Sequence, residues 1–216
     1  RKFLLNVSNW SSTETTLEKD RKKKDFDNEP VLERFKIQLN NSNIKTNYTL
    51  KPDFSWAKVN VDKIVNKYFG GRFILLFPFC SPQLPHKKWP FFNDLIKIIK
   101  SKQHNFNIAI APGPTEIEEA KKIGSISITN KDKSLNLMEL AGLISKASYV
   151  VANDTGPAHM TAHLGQKGVV LFGYHTTSKK VSIETKDFKA ITTDDLYKLT
   201  AEGVYLEIKD KLELIN

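Results

Sequence analysis

Phe73-Ile-Leu-Leu-Phe77 is an unbroken apolar run, set between Gly70-Gly71 and Pro78. A strand that is apolar at every residue has no solvent face, and sheets covered on both faces are parallel sheets flanked by helices. Further strands are expected at Asn107–Ala111, the short Ser125–Ile128, Tyr149–Ala152 and Gly168–Phe172. Between them lie stretches with helical spacing: a helix from about Val59 to Phe69 that ends at Gly70, then Pro90–Ser101, Thr115–Ile123, Leu137–Lys146, and a helix opened by the Asp154 segment. Strand and helix alternate about five times, which predicts an α/β fold, a doubly wound parallel sheet with right-handed crossovers. In such sheets ligands lie outside the carboxyl ends of the strands. The loops after Phe77, Ala111, Ile128, Ala152 and Phe172 share that edge. A final helix is expected over Thr200–Leu214, weakened by Gly203.

Residues 1–55 lack this alternation and carry two modest helical patterns. One starts at Glu29-Pro30 and repeats Val31, Leu32, Phe35 and Leu39 at helical spacing. Lys51-Pro-Asp-Phe-Ser reads as an extended linker. The expected division is therefore 1–55 and 56–216. Arg1 stands where an initiator Met is expected, and the segment after it is too polar for a secretory signal, so the expectation is a chain that begins partway through a longer protein. No window has the roughly 18 apolar residues of a membrane span, and the lone Cys80 gives no internal disulfide, which favours a cytoplasmic setting. The net charge of +9 is spread thinly, +3 over residues 1–55 (11 Lys/Arg, 8 Asp/Glu) and +6 over the rest (22 and 16). Acids interrupt its densest run, Lys19-Asp-Arg-Lys-Lys-Lys-Asp25, which fits a solvated helix end or loop. No nucleic-acid partner is expected, while attraction to an anionic membrane surface stays open.

The carboxyl-edge loops hold the candidate chemistry. Asn153-Asp-Thr-Gly-Pro-Ala-His159 passes from a strand straight into a helix, so unpaired backbone N–H groups face a place where a phosphate can sit. Pro157 suits the first helical turn, Gly156 permits close approach, and Asp154, Thr155 and His159 add a carboxylate, a hydroxyl and an imidazole. The loop after Phe77 carries Ser81, Lys87 and Lys88 among prolines; a phosphate contact and a plain surface loop fit it equally. Glu116, after Pro112-Gly-Pro, reads first as a dipole partner of its helix and second as a carboxylate able to hold a ribose. His159 and His163 share a helix face, but Met160 stands where a zinc protease needs Glu and no Cys/His cluster supplies more ligands, so no metal is expected. Neither a G-x-S-x-G elbow, a G-x-G-x-x-G fingerprint nor a P-loop occurs, against a serine hydrolase, an NAD domain and a P-loop NTPase.

Val150-Val-Ala-Asn-Asp-Thr-Gly-Pro-Ala-His-Met-Thr-Ala-His-Leu-Gly165, followed by Gly168-Val-Val-Leu-Phe-Gly173, resembles the signature of glycosyltransferase family 9, the bacterial heptosyltransferases of the lipopolysaccharide inner core. Lys87-Lys-Trp-Pro90 resembles the family's K-x-W-P step, and Asn136–Ala147 the helix before the signature strand. The resemblance covers about residues 70–215. It implies the Rossmann-like carboxyl-terminal half of a GT-B glycosyltransferase, taking a nucleotide sugar, commonly ADP-heptose, without a cofactor. It further implies that Asp154, Thr155, Gly156 and His159 line the diphosphate and sugar, Ser81 and Lys87 face the phosphates, Glu116 holds the ribose and Leu135 borders the adenine. Phe79-Cys80-Ser81 departs from the small or hydroxyl residues usual in the family's phosphate loop. The acceptor, by resemblance lipopolysaccharide core or another lipid-linked sugar, and the acidic catalytic base belong to the amino-terminal half of family members. Residues 1–55 have room only for the last helices of that half, so no base is named, and the setting implied is cytoplasmic, peripheral at the inner membrane of a Gram-negative bacterium. Other readings are a different GT-B-like sugar-nucleotide enzyme such as an epimerase, a non-catalytic nucleotide-sugar-binding module, and a basic nucleic-acid binder.

Overall fold

Each of the five expected strand segments contains a strand in the computed structural model, which describes residues 28–215. The strands are β1 (Phe73–Phe77), β2 (Asn107–Ile110), β3 (Ile126–Ser127), β4 (Tyr149–Asn153) and β5 (Gly168–Phe172), with a further edge strand β6 (Phe188–Thr192). All pairings are parallel and the order is β3-β2-β1-β4-β5-β6. This is the Rossmann order, in which the direction of winding reverses between β1 and β4. The helices are α1 (Val31–Asn41), α2 (Asp62–Tyr68), α3 (Phe92–Lys102), α4 (Ile117–Ala120), α5 (Leu137–Lys146), α6 (Gly156–His163), α7 (Ser178–Val181) and α8 (Ala201–Glu213). Among the described residues no helix is long and apolar enough to cross a membrane.

The described chain parts into two units, residues 28–52 with Ser178–Ser182, and Asp53–Thr177 with residues 183–215. The smaller holds α1 and α7, and no residue of α1 is buried. The basic run Lys19–Asp25 lies outside the described residues. The larger unit holds the whole sheet. β1, β4 and β5 are buried at every position, which is why their sequences show no polar alternation. Ile74, Leu76, Val151 and Leu171 form one core with Leu95, Ile96 and Ile99 of α3 and Val204, Ile208 and Leu212 of α8. Each such side chain contributes about 1.5–3 kcal/mol over an exposed one. Leu75 and its register partner Val150 face the opposite side of the sheet.

Three local expectations need correction. The helix predicted over Thr115–Ile123 is only the four-residue α4, because Glu116 turns back to accept the Gly113 N–H at 2.7 Å and the chain enters the helix late. Gly203 does not weaken the interior of α8: it lies in the first turn, where its N–H donates to the Thr200 hydroxyl at 3.0 Å. β6 escaped notice because Lys189 divides its apolar residues, as befits an edge strand with a half-exposed face.

Gly142 lets α5 approach the chain closely at Val59. A Cβ there would overlap the Val59 carbonyl oxygen and meet Val61 Cγ1 at 3.0 Å. Gly142→Ala is therefore expected to destabilise the protein by about 1–3 kcal/mol despite its better helix propensity, measured as a lowered urea midpoint. An unchanged or raised midpoint would show that the contact yields.

Candidate functional site

The point where winding reverses is fastened by Asn153, the last residue of β4. Its side chain is fully buried; Oδ1 accepts the Trp89 N–H at 3.1 Å and Nδ2 donates to the Pro78 carbonyl at 2.9 Å. Trp89 is also buried, its indole N–H donating to the Leu199 carbonyl at 2.7 Å. The loop leaving β1 is thus tied at both ends to the end of β4, and Lys87, in the short 3-10 turn Pro85–Lys87, is brought over Asp154.

Lys87 Nζ lies 2.6 Å from Asp154 Oδ2, and the Asp154 side chain is only 3% exposed. His175, in the turn after β5, places Nε2 3.0 Å from the same oxygen. His159 Nε2 stands 3.8 Å from Oδ1, beyond a hydrogen bond. The following residue, Thr155, is the N-cap of α6 by backbone geometry, yet its side chain caps nothing; its hydroxyl donates to the Asn153 carbonyl at 3.2 Å. In the first turn of α6 Pro157 has no N–H, and Ala158 and His159 donate to the Thr155 carbonyl at 3.0 and 3.3 Å, so the Gly156 N–H and the helix dipole are what favour an anion here. A Cβ placed on Gly156 would meet nothing within 4 Å, so the surrounding protein does not itself require glycine. The space it leaves open belongs to a cavity of about 310 Å³ lined by Cys80, Ser81, Leu84, Lys87, Asp154, Thr155, Gly156 and His159.

A second cavity, of about 280 Å³, shares Cys80, Ser81 and Thr155 with the first. Its walls are otherwise apolar, Phe77, Phe79, Pro112, Pro114, Leu135, Leu137 and Leu140 among them, with Glu116 at the rim of the Gly113 turn. The Gly113 bond occupies Oε2 of Glu116 and leaves Oε1 without a protein partner among the described residues. Leu135 and Leu137 are presented by a capping box at the start of α5. Asn136 Oδ1 accepts the N–H groups of Met138 and Glu139 at 3.0 Å, and Glu139 accepts the Asn136 N–H at 2.9 Å. Tyr68 supports the same loop from α2, its hydroxyl accepting the Thr129 N–H at 3.1 Å. All eight residues singled out from the sequence, Ser81, Lys87, Glu116, Leu135, Asp154, Thr155, Gly156 and His159, line one or both cavities. Ser81 is the least engaged, its hydroxyl only 3.4 Å from Gln83 Oε1.

The model of glycosyltransferase family 9 (heptosyltransferase) matches residues 9–195. The chain belongs to this family. Over 130 residues it is 36% identical to the lipopolysaccharide core heptosyltransferase OpsX of Haemophilus influenzae, a match covering 57% of this chain and 35% of OpsX. Among solved structures it is similar to the E. coli heptosyltransferase WaaC with ADP, with TM-score 0.62 and 20% identity over 82% of this chain and 54% of WaaC. It also resembles S. aureus MnaA in a structure with UDP, with TM-score 0.52 and 16% identity over 83% of this chain and 50% of MnaA. The chain spans about a third of the curated relative and about half of the solved ones.

Within this family 9 fold the sequence reading missed two residues of the site. Asn153 could have been found, since a polar residue ending an apolar strand needs partners if buried. His175 had no signal, because it comes from the turn after the neighbouring strand and meets Asp154 only in three dimensions. His163 lies away from this centre: its carbonyl accepts the Phe54 N–H at 2.9 Å and its ring centroid is 6.3 Å from that of His159.

Burial pushes the imidazoles of His159, His163 and His175 below the ordinary histidine range; Asp154 opposes this for His159 and His175, while His159 adds to it for His163. The unfolded chain, with histidines near the ordinary value of about 6.5, then binds more protons than the folded one as acidity rises. Stability is therefore expected to be full well above about pH 6.5 and to fall progressively as the pH drops through it. Urea midpoints at about pH 7.5, 6.5 and 5.5 should decline in that order, with the larger step between the last two. A rise toward the acid side would mean that these rings are held charged.

Proposed function

We propose that this chain forms the donor-binding side of a glycosyltransferase that moves a heptose, or a related sugar, from a nucleoside diphosphate to a lipopolysaccharide core acceptor. The observation that carries this reading is the joining of an apolar cavity to a charged one at the β1/β4 switch point. The base of a nucleotide fits the first, between Pro112, Pro114, Leu135 and Leu137, with the free oxygen of Glu116 available to a ribose hydroxyl. The diphosphate fits the second, against Lys87, Ser81, Thr155 and the first turn of α6. Family 9 membership and a relative solved with ADP support ADP-heptose as the donor.

In the transfer, an acceptor hydroxyl attacks the anomeric carbon, the bond from that carbon to the diphosphate oxygen breaks, and negative charge grows on the departing nucleoside diphosphate. The groups aimed at that charge are the Lys87 ammonium and the Gly156 N–H at the positive end of the α6 dipole. Preorganised donors of this kind stabilise the transition state without having to reorient. His159, neutral in the free protein, gains a reason to take up a proton when an anion arrives beside it. It can then add charge to the same place.

A different reading, a sugar-nucleotide enzyme using a uridine donor, is favoured only by the fold shared with MnaA in its UDP-bound structure. Calorimetry of the chain against ADP, UDP and GDP separates the two, with ADP expected to bind tightest. Lys87→Ala should weaken ADP binding by about ten-fold or more, the loss typical of a charge-assisted hydrogen bond, while circular dichroism shows the variant still folded. Equal affinity for all three nucleotides, or undiminished binding by Lys87→Ala, would refute the assignment.

A further inference from the structure

His175 presents a geometry that the donor site as described above does not account for. Its ring stacks near Phe172, with centroids 6.0 Å apart at 25°, and meets His86 edge-on at 5.3 Å. Its side chain is 7% exposed. Nδ1 is buried without a hydrogen-bond partner, whereas Nε2 is 3.0 Å from Asp154 Oδ2. A neutral imidazole has one N–H, and only on Nε2 does that hydrogen find an acceptor. A doubly protonated ring would bury an N–H with nothing to receive it, and the depression of the His175 pKa by burial agrees with the neutral form.

Asp154 Oδ2 thus accepts from both Lys87 and His175. For Lys87 to reach a phosphate it must loosen from Asp154. A buried carboxylate stripped of its only cation beside an incoming anion is costly, since removing one partner of a buried pair leaves an uncompensated charge. The charged and titratable groups around the carboxylate are Lys87, His159 and His175, with His86 behind His175. His159 is too distant for a hydrogen bond. The remaining donor is His175.

We infer that His175 is a positioning residue of the donor site: its Nε2–H holds the Asp154 carboxylate in place and keeps it hydrogen-bonded while Lys87 is handed over to the diphosphate. This rests on the donor-site reading above. It assigns a role to the turn after β5, which lines neither cavity. His175 acts through Asp154 and Lys87 and need not touch the ligand.

The test uses the full chain with ADP and adenosine as probes, since adenosine carries the base and ribose without the phosphates. His175→Ala should lower ADP affinity by about ten-fold and leave adenosine affinity unchanged, and His175→Gln, whose amide N–H can take the place of Nε2–H, should restore most of the loss. Thermal melts check that both variants fold. In the ligand-free protein, ring nitrogen NMR should show His175 neutral with hydrogen on Nε2, a state that Asp154→Asn should perturb. An equal fall for ADP and adenosine, or no rescue by glutamine, would reduce His175 to a packing role and overturn the inference. Undiminished ADP binding by His175→Ala, or a His175 hydrogen on Nδ1, would overturn it while leaving the donor reading intact. If the wild-type chain binds no ADP, the donor reading falls and the inference with it.

Discussion

The amide of Asn153 is the interaction on which the site depends. It stands at the end of β4, opposite the end of β1, at the one place in a 3-2-1-4-5-6 sheet where neighbouring loops diverge and leave a crevice. Divergent loops have no reason to stay together, and between Phe79, which is buried, and Trp89 this loop is mostly exposed. Asn153 closes that gap by holding the Pro78 carbonyl with its N–H and the Trp89 N–H with its oxygen. Being fully buried, it cannot exchange those partners for water, and an apolar residue of the same size would strand both backbone groups. The cost of ordering the intervening ten-residue segment is thus set against two satisfied buried bonds and the burial of the Trp89 ring.

A consequence of this tie is that the cavity beside Asp154 is not a naked basic patch. Lys87 arrives already neutralised by Asp154, with a second donor, His175, on the same oxygen. An anion has to compete with a carboxylate for the lysine, so a phosphate alone gains less from the site than its charge would suggest. A ligand that also fills the adjoining apolar cavity adds the burial of its base to that exchange. Pairing the lysine in this way trades affinity for any anion against selectivity for one attached to a flat, apolar group, in keeping with a +9 chain whose charge is scattered rather than focused.

Periodicity carried the fold well where burial was complete. Phe73–Phe77, Tyr149–Ala152 and Gly168–Phe172 read as strands because both faces are covered, and Leu137–Lys146 read as a helix because its cap and its buried stripe coincide. β6 and α4 were misjudged or missed because neither is set by its own sequence. One is an edge strand recruited by β5, the other a helix shortened when Glu116 turned to a backbone N–H. The same distinction applies to the site. Lys87, Asp154, Gly156 and His159 sit in contiguous motifs whose residue types are unusual for plain loops, so they stood out. His175 stands in Gly173-Tyr-His-Thr-Thr, where nothing local marks it, and its meaning comes only from the 3.0 Å to Asp154.

Two walls of the base-sized cavity are held by the same device. At Gly113 and at Asn136 a loop N–H is gripped by a glutamate three residues ahead, Glu116 at 2.7 Å and Glu139 at 2.9 Å. Such a bond closes only a short loop, so fixing it costs little entropy, and it sets the direction of the residues on either side. Pro112 and Pro114 flank one grip, Leu135 and Leu137 the other, and these are the side chains that meet across the cavity. The sheet beneath them has the fold shared with S. aureus MnaA in its structure with UDP. On the function proposed above, the choice of base falls to the two gripped loops. The first is fastened to itself, and the second to itself and to Tyr68 of α2, so neither grip involves a strand.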